Sequence, residues 1–376
     1  MIDVPLQMIL AVEVPIWTRI HKLLFSAERK HMMQTLKKIY EDLICDEYRW
    51  SYYSCHKFLN CDTLCDKEKA YNFIKGYFEY GGKEALFNDP YLNRNAEIVK
   101  ERAPHIISTY LLGIIIAESF GIDIEELDSN NVNFKYLWFL ACLYHDIGYI
   151  YEKKRCCKHL KMLQEGGLGA IQEICNIKYL YSREFITYPK EYVNIYLSYR
   201  AKGLKKKTGS IDHGIVGGLL LYDRLRKSFE TAWSKAYRLN KNVSREDFYY
   251  NGLHFSNKHY NYYAIAADAV IAHNIWLNTL NDYLSQEGKK PCKERKIKRN
   301  NIIAFILAIA DTVEPIKRFN INSLDEIKLE SLVNTGFRLL MPDLKDNTNY
   351  DYMIDLSNWV DVNVCREENG AFLITK

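Results

Sequence analysis

The sequence predicts an all-α protein: a helical bundle with an N-terminal helical extension and a small C-terminal β-hairpin. Three observations lead there. Apolar runs of helical length recur through the middle of the chain, as in IISTYLLGIIIA, YLWFLACL and IIAFILAIA. Nearer the start, apolar residues recur at helical spacing in HKLLFSAERKHMMQTLKKIYEDLI. Only the last stretch, VDVNVCREENGAFLITK, alternates, around an Asn369-Gly370 turn.

Composition bounds the answer further. Over 376 residues, 48% hydrophobic and 14% aromatic content is ample for a packed core, in one large domain or two smaller ones. A net charge of +4 on so long a chain gives no support to nucleic-acid binding, because acidic and basic residues nearly cancel. The opening MIDVPLQMILAVEVPIW lacks a basic n-region and is broken by Asp3, Glu13 and two prolines, so it is not read as a secretory signal. Runs such as 302–310 are half the length that crosses a bilayer. A cytoplasmic protein is therefore expected, with its ten cysteines as reduced thiols.

Residues 1–95 read as an N-terminal helical region. Within it Cys55, His56, Cys61 and Cys65 place four soft ligands inside eleven residues. None of the pairs has Cys-x-x-Cys spacing, so a structural zinc stands beside a layer of small buried thiols. Gly81-Gly82 and Asn88-Asp89-Pro90 are turn signals, and the domain boundary falls after them, at 95.

The central region, 96–325, carries the chemistry. Its first helix, 104–119, begins with Pro104, which suits a first turn, and so sets His105 at a helix N-terminus, where a neutral imidazole is favoured. The run 136–143 is apolar on every side and reads as a core helix extending into His145 and Asp146. Burying an ionised carboxylate without a partner costs several kcal/mol, so Asp146 needs a cation or water, and a metal answers both needs. Neighbours on a helix point about 100° apart, so further ligands must arrive from elsewhere. The same pattern, one His or Asp in an apolar run, recurs at His213, His273 and Asp311. Each alone also fits a core residue with a satisfied partner; six together point to a metal site.

Two insertions, at about 160–212 and 228–262, interrupt this region. A basic run, Lys153, Lys154, Arg155 and Lys158, follows the central helix, with His159 beside it as a weaker acid–base candidate. The first insertion ends in a loop with Gly203, Gly209 and Lys205, Lys206 and Lys207. Asp212 can cap the next helix or orient an imidazole. Gly214, Gly217 and Gly218 imply close approach of a substrate or a neighbouring helix. His254 and His259 lie outside any apolar run and carry no assignment. Asp268 points about 140° from His273 on a helix and would at best support the ligands. Glu314-Pro315, Lys317 and Arg318 follow Asp311, and 326–376 forms a small α/β extension.

The order His105, His145-Asp146, His213, His273, Asp311 resembles the metal-binding signature of the HD-domain phosphohydrolase superfamily, in its two-metal form. The likeness covers roughly 96–325, with Arg102-x-x-His105, HDIG (145–148) and ADTVEP (310–315) as its local matches. The resemblance implies an HD-type helical bundle, with those six residues as ligands and Asp146 and His145 at the catalytic centre. It departs at Tyr149, where many members carry Lys, so another cation must hold phosphate or the substrate differs. Arg102, Lys153 and Lys154 are the nearby candidates, with Lys205 and Lys206 on a loop that could cover an anionic substrate; each also reads as an ordinary solvated cation.

Mixed His and carboxylate ligands suit Mn, Fe, Zn, Co, Ni or Mg without distinguishing among them, and the resemblance implies two ions. Two ions can activate a shared water for attack on phosphorus, with no protein nucleophile. The expectation is hydrolysis of a phosphoester or phosphoanhydride, with a nucleotide or other phosphorylated small molecule as partner and no membrane; an oligomer is compatible. The competing readings are a one-metal deoxynucleoside triphosphate triphosphohydrolase and an inactive HD-type module that senses a nucleotide or binds a partner.

Overall fold

The computed structural model describes residues 33–53, 59–64, 66–124, 133–152, 156–179, 186–203, 209–290, 296–319, 324–341, 348–368 and 370–376. Five helices form the centre: α1 (Ala103–Ser119), α2 (Phe134–Cys142), α3 (His213–Leu239), α4 (His259–Ala272) and α5 (Ile302–Val313). Helix α4 packs against α2, α3 and α5, and α5 also packs against α1 and α2. This arrangement follows from side chains that leave no polar stripe on α1 or α5, which are buried nearly all round. Ile306, Leu307 and Ile309 of α5 are fully buried, each worth about 1.5–3 kcal/mol against exposure.

Helix ends are set by local chemistry. Asn133 accepts from Lys135 N at 2.7 Å to start α2, and Asp212 accepts from Ile215 N at 2.9 Å to start α3. The first of the two roles open to Asp212 is thus the one it takes. Glycine then brings α3 close to α4. A Cβ at Gly218 would stand 2.5 Å from Ala267 O, and one at Gly214 3.0 Å from Val270 O, so the neighbouring helix accounts for these two, while one at Gly217 would stand 3.3 Å from His145 O.

The central helix is shorter than the apolar run suggests. It ends at Cys142, and residues 143–148 form successive turns closed by bonds such as Tyr144 N→Ala141 O and Ile147 N→Tyr144 O, at 3.3 and 3.1 Å. His145 and Asp146 therefore lie on a turn rather than within a helix. A backbone turned this way lets two adjacent side chains face one space, whereas on a regular helix they point about 100° apart. His273 likewise caps α4 just beyond its last turn.

The C-terminal hairpin, Asn363–Arg366 with Phe372–Thr375, is present but belongs to a larger antiparallel sheet. Its order runs Gln34–Thr35, Lys328–Leu332, Gly336–Leu340, Phe372–Thr375, Asn363–Arg366. Phe120, at the end of α1, meets Phe305 and Phe337 edge-on and joins the sheet to the helical core. A second hairpin, Asp247–Tyr250 with Leu253–Ser256, turns at Asn251 and Gly252, both at positive φ, and packs Phe248 and Phe255 on Phe229 of α3. The fold is mostly helical with these sheets added. No helix among the described residues is long and apolar enough to cross a membrane.

Candidate metal centre

His105, His145, Asp146, His213, His273 and Asp311 are all buried, and the fold draws them into one cluster. They come from the first turn of α1, the 143–148 turn, the first residue of α3, the end of α4 and the last turn of α5. Asp146 is central: Oδ1 lies 3.4 Å from His145 Nε2 and 3.5 Å from His213 Nε2, and Oδ2 lies 3.6 Å from His105 Nε2. Asp311 Oδ1 is 3.0 Å from His105 Nε2 and 3.4 Å from His145 Nε2. His273 completes a row of imidazoles, its ring centroid 5.2 Å from that of His145 and 5.5 Å from that of His213.

The hydrogen bonds on the far side of each ring decide which nitrogen is offered. A carbonyl only accepts, so His145 Nδ1–H donates to Cys142 O at 2.7 Å and His273 Nδ1–H to Val270 O at 2.6 Å. His213 Nδ1–H meets Glu152 Oε2 at 2.6 Å. Each ring thereby points a lone pair on Nε2 inward. These Nε2 atoms, with both oxygens of Asp146, are buried and without a hydrogen-bond partner among the described residues. Buried polar groups are ordinarily paired, so a set of unpaired acceptors facing one another could hold a metal ion. The ligand atoms of His105, His145 and Asp311 lie within 4.8 Å of one another, as do those of His145, Asp146 and His273, and these groups can hold a metal ion.

Electrostatics agree with that reading. Burial alone would raise the Asp146 carboxyl, but Lys317, His145, Arg102 and His105 around it hold it well below the usual carboxylate range. Burial pushes His213 down to about 4 and His273 to about 3, which keeps both neutral as ligands must be. The shift at His105 runs the other way. Burial and Lys317 lower its pKa, yet Glu314 at Nδ1 (2.6 Å) and Asp311 at Nε2 outweigh them and raise it. Two carboxylates in contact act more strongly than a helix dipole.

Several residues at the centre escaped assignment from sequence. Glu152 orients His213 and is itself met by Arg200 at 3.5 Å. Glu314 orients His105 and also accepts from Ile316 N and Lys317 N at 3.0 Å, starting the short helix Pro315–Phe319. That helix sets Lys317 Nζ 2.9 Å from Asp311 Oδ1 and 4.0 Å from Asp146 Oδ2. Lys317 thus brings a cation against the carboxylates of the cluster. Tyr149 stacks between His213, 3.9 Å away, and the Arg102 guanidinium, 3.8 Å away. Arg102 Nε lies 3.5 Å from Asp146 Oδ2, so this residue does join the cluster.

Other candidates fall elsewhere. Asp268 accepts from Ile186 N at 2.8 Å, Thr187 Oγ1 at 2.6 Å and Asn301 Nδ2 at 3.3 Å, a structural clasp away from the cluster. His159 sits half-buried on the helix Cys157–Gly166, while His254 pairs with Asp247 and His259 with Ser256. Lys153, Lys154, Lys205 and Lys206 lie outside the described residues, as do Cys55, His56 and Cys65, with the side chain of Cys61.

A small cavity of about 80 Å³ adjoins the cluster, lined by Tyr149, His273, Asn274, Trp276, Asp311, Thr312, Lys317 and Trp359. No protein family, curated protein or solved structure matches this chain.

Proposed function

We propose that the chain is a metal-dependent phosphohydrolase of the HD type, which cleaves a phosphoester or phosphoanhydride bond of a nucleotide or similar phosphorylated small molecule. The observation that carries this is the convergence of unpaired, buried Nε2 atoms of His145, His213 and His273 on the unpaired oxygens of Asp146. Asp146 is the residue that could bridge two ions, since Oδ2 faces His105 while Oδ1 faces His145 and His213. Imidazole and carboxylate together suit Mn, Fe, Zn, Co or Ni. A bound divalent ion supplies a Lewis acid that makes hydroxide available near neutral pH and neutralises charge on a phosphoryl oxygen.

The chain's own groups do the rest. Nδ1–H bonds to Cys142 O, Val270 O and Glu152 fix each ring and its tautomer. Lys317 and Arg102 bring positive charge to the edge of the cluster, where phosphate oxygens would lie against the pocket. Tyr149, stacked on both Arg102 and His213, holds the guanidinium in place.

Metal analysis of the purified protein, followed by assay of phosphate release from a nucleotide panel, tests the proposal. About two equivalents of a transition metal per chain are expected. Asp146→Asn should lose both metal and hydrolysis while staying folded; a variant that keeps them overturns the proposal. His213→Ala or His273→Ala should reduce the metal toward one equivalent and depress kcat strongly. Full metal content in both, with lowered stability, would favour the one-metal triphosphohydrolase on His105, His145, Asp146 and Asp311.

A further inference from the structure

A helix of the insertion at about 160–212, Lys190–Lys202, lies behind two of the clustered imidazoles. It packs against the helices Cys157–Gly166 and Leu277–Gln286. Tyr196 and Arg200 stand four apart on it and so share one face. Tyr196 is 2% exposed, and its hydroxyl donates at 3.0 Å to the carbonyl of Asn274, the residue that follows His273. Arg200 reaches the other imidazole. Its Nη2 donates to Glu152 Oε1 at 3.5 Å, and Glu152 Oε2 meets His213 Nδ1 at 2.6 Å. Arg200 Nε stands 3.8 Å from Oδ2 of Asp212, the fully buried residue before His213. The same oxygen accepts from Asn274 Nδ2 at 2.7 Å, which joins the His213 and His273 segments directly.

An arginine in the last turn of a helix is already served by the helix dipole and by water, and has no need to turn inward. This one buries its Nε, without a hydrogen-bond partner among the described residues, beside two carboxylates. Removing it would leave Asp212 buried with no cation within 4 Å among the described residues, and a buried charge that loses its partner is strongly destabilised. The rest of the cluster draws its supports from elsewhere: His105 from Glu314, His145 from Cys142 O and Asp311 from Lys317. We propose that the helix Lys190–Lys202 supports the His213–His273 side of the metal centre alone, with Arg200 and Tyr196 as positioning residues. Arg200 fixes Glu152 and Asp212 and through them His213, while Tyr196 fixes the Asn274 carbonyl and through it His273. The insertion therefore governs the ion on that side and not the ion beside His105 and Asp311. This deepens the two-ion reading of the centre and rests on it.

The test is metal binding by the full chain, stripped of metal and titrated with Mn2+ against a chromophoric chelator, so that each equivalent has its own affinity. Arg200→Ala should weaken one equivalent by about 10–100-fold and leave the other within about twofold of wild type. Arg200→Lys, which restores a cation, should recover part of the loss. Tyr196→Phe keeps the ring, removes only the hydroxyl and should weaken the same equivalent severalfold. Because Arg200 acts in part through Glu152, Arg200→Ala should cost less in a Glu152→Ala background than in the wild type. Circular dichroism and melting curves establish that each variant is folded. Both equivalents weakened alike, or neither, overturns the role of the helix and leaves the two-ion hydrolase standing. A wild-type protein that binds a single ion overturns both. Selective loss of one equivalent, in a protein that releases no phosphate from nucleotides, supports the role of the helix and overturns the hydrolase reading instead.

Discussion

At His213 the ring nitrogen facing away from the cluster meets Glu152, and at His105 it meets Glu314, whereas His145 and His273 use main-chain carbonyls. A carboxylate behind an imidazole raises its basicity and fixes its orientation, and losing such a partner typically costs about 10–100-fold in metal affinity. Glu152→Ala should therefore weaken metal binding by about that factor, and Glu152→Gln, which keeps an acceptor, by less; competition with a chromophoric chelator measures both. Affinity unchanged in the alanine variant would mean that His213 is not a ligand. The six clustered residues were legible in sequence because a His or Asp inside an apolar run has no ordinary reason to be there. Glu152, Glu314 and Lys317 were not, because each looks like any charged residue near a helix end. Tyr149, standing where the resemblance leads one to expect Lys, signalled that a cation had to come from elsewhere, but the sequence directed that search to Arg102 and the Lys153, Lys154, Lys205 and Lys206 runs rather than to Lys317.

The 143–148 turn is the element on which the centre depends, since it aims His145 and Asp146 together. It fits because Gly148 lies against the start of α3: a Cβ there would stand 2.0 Å from His213 O and 2.9 Å from Gly217 N. Backbone cannot yield as a flexible side chain can, so Gly148→Ala must push the turn and α3 apart. The expected cost is about 1–3 kcal/mol or more, seen as a lower urea midpoint, together with loss of metal because His213 moves with α3. Unchanged stability and metal content would mean that the turn and α3 are not held in register by this contact. Periodicity could not reveal the turn, because the apolar run of α2 continues through Leu143 and Ile147 without a helix-breaking residue until Gly148. Strands were harder still. Gln34–Thr35 is two residues long and pairs with Lys328–Leu332, far away in sequence, where local pattern carries no information. The Asn251-Gly252 turn, by contrast, is a hairpin signal inside the insertion at about 228–262, to which no element was assigned from sequence.

On the scale of the whole molecule, the six clustered residues come from five separate segments, so a bound ion ties α1, the turn, α3, α4 and α5 to one point. The buried apolar core runs through all of these helices and on into the sheet. Folding therefore does not rest on the ion alone, and the charges of Asp146 and Asp311 have Lys317 beside them without it. Metal removal should then loosen the protein without unfolding it. An ion present at 100 times its dissociation constant stabilises the folded state by about 2.7 kcal/mol, which on a chain of this size is a shift of about 5–10 °C or less in Tm. Treatment with a chelator should lower the melting temperature by several degrees, leave the helical circular dichroism intact at room temperature, and be reversed by adding the metal back. An unchanged melting curve after verified metal loss would show that the cluster is stabilised by its own ion pairs, and would remove the metal as the reason for its unpaired imidazoles. Collapse of the helical signal on chelation would overturn the other half of the argument, that the apolar helices hold the ligands in place before the ion arrives.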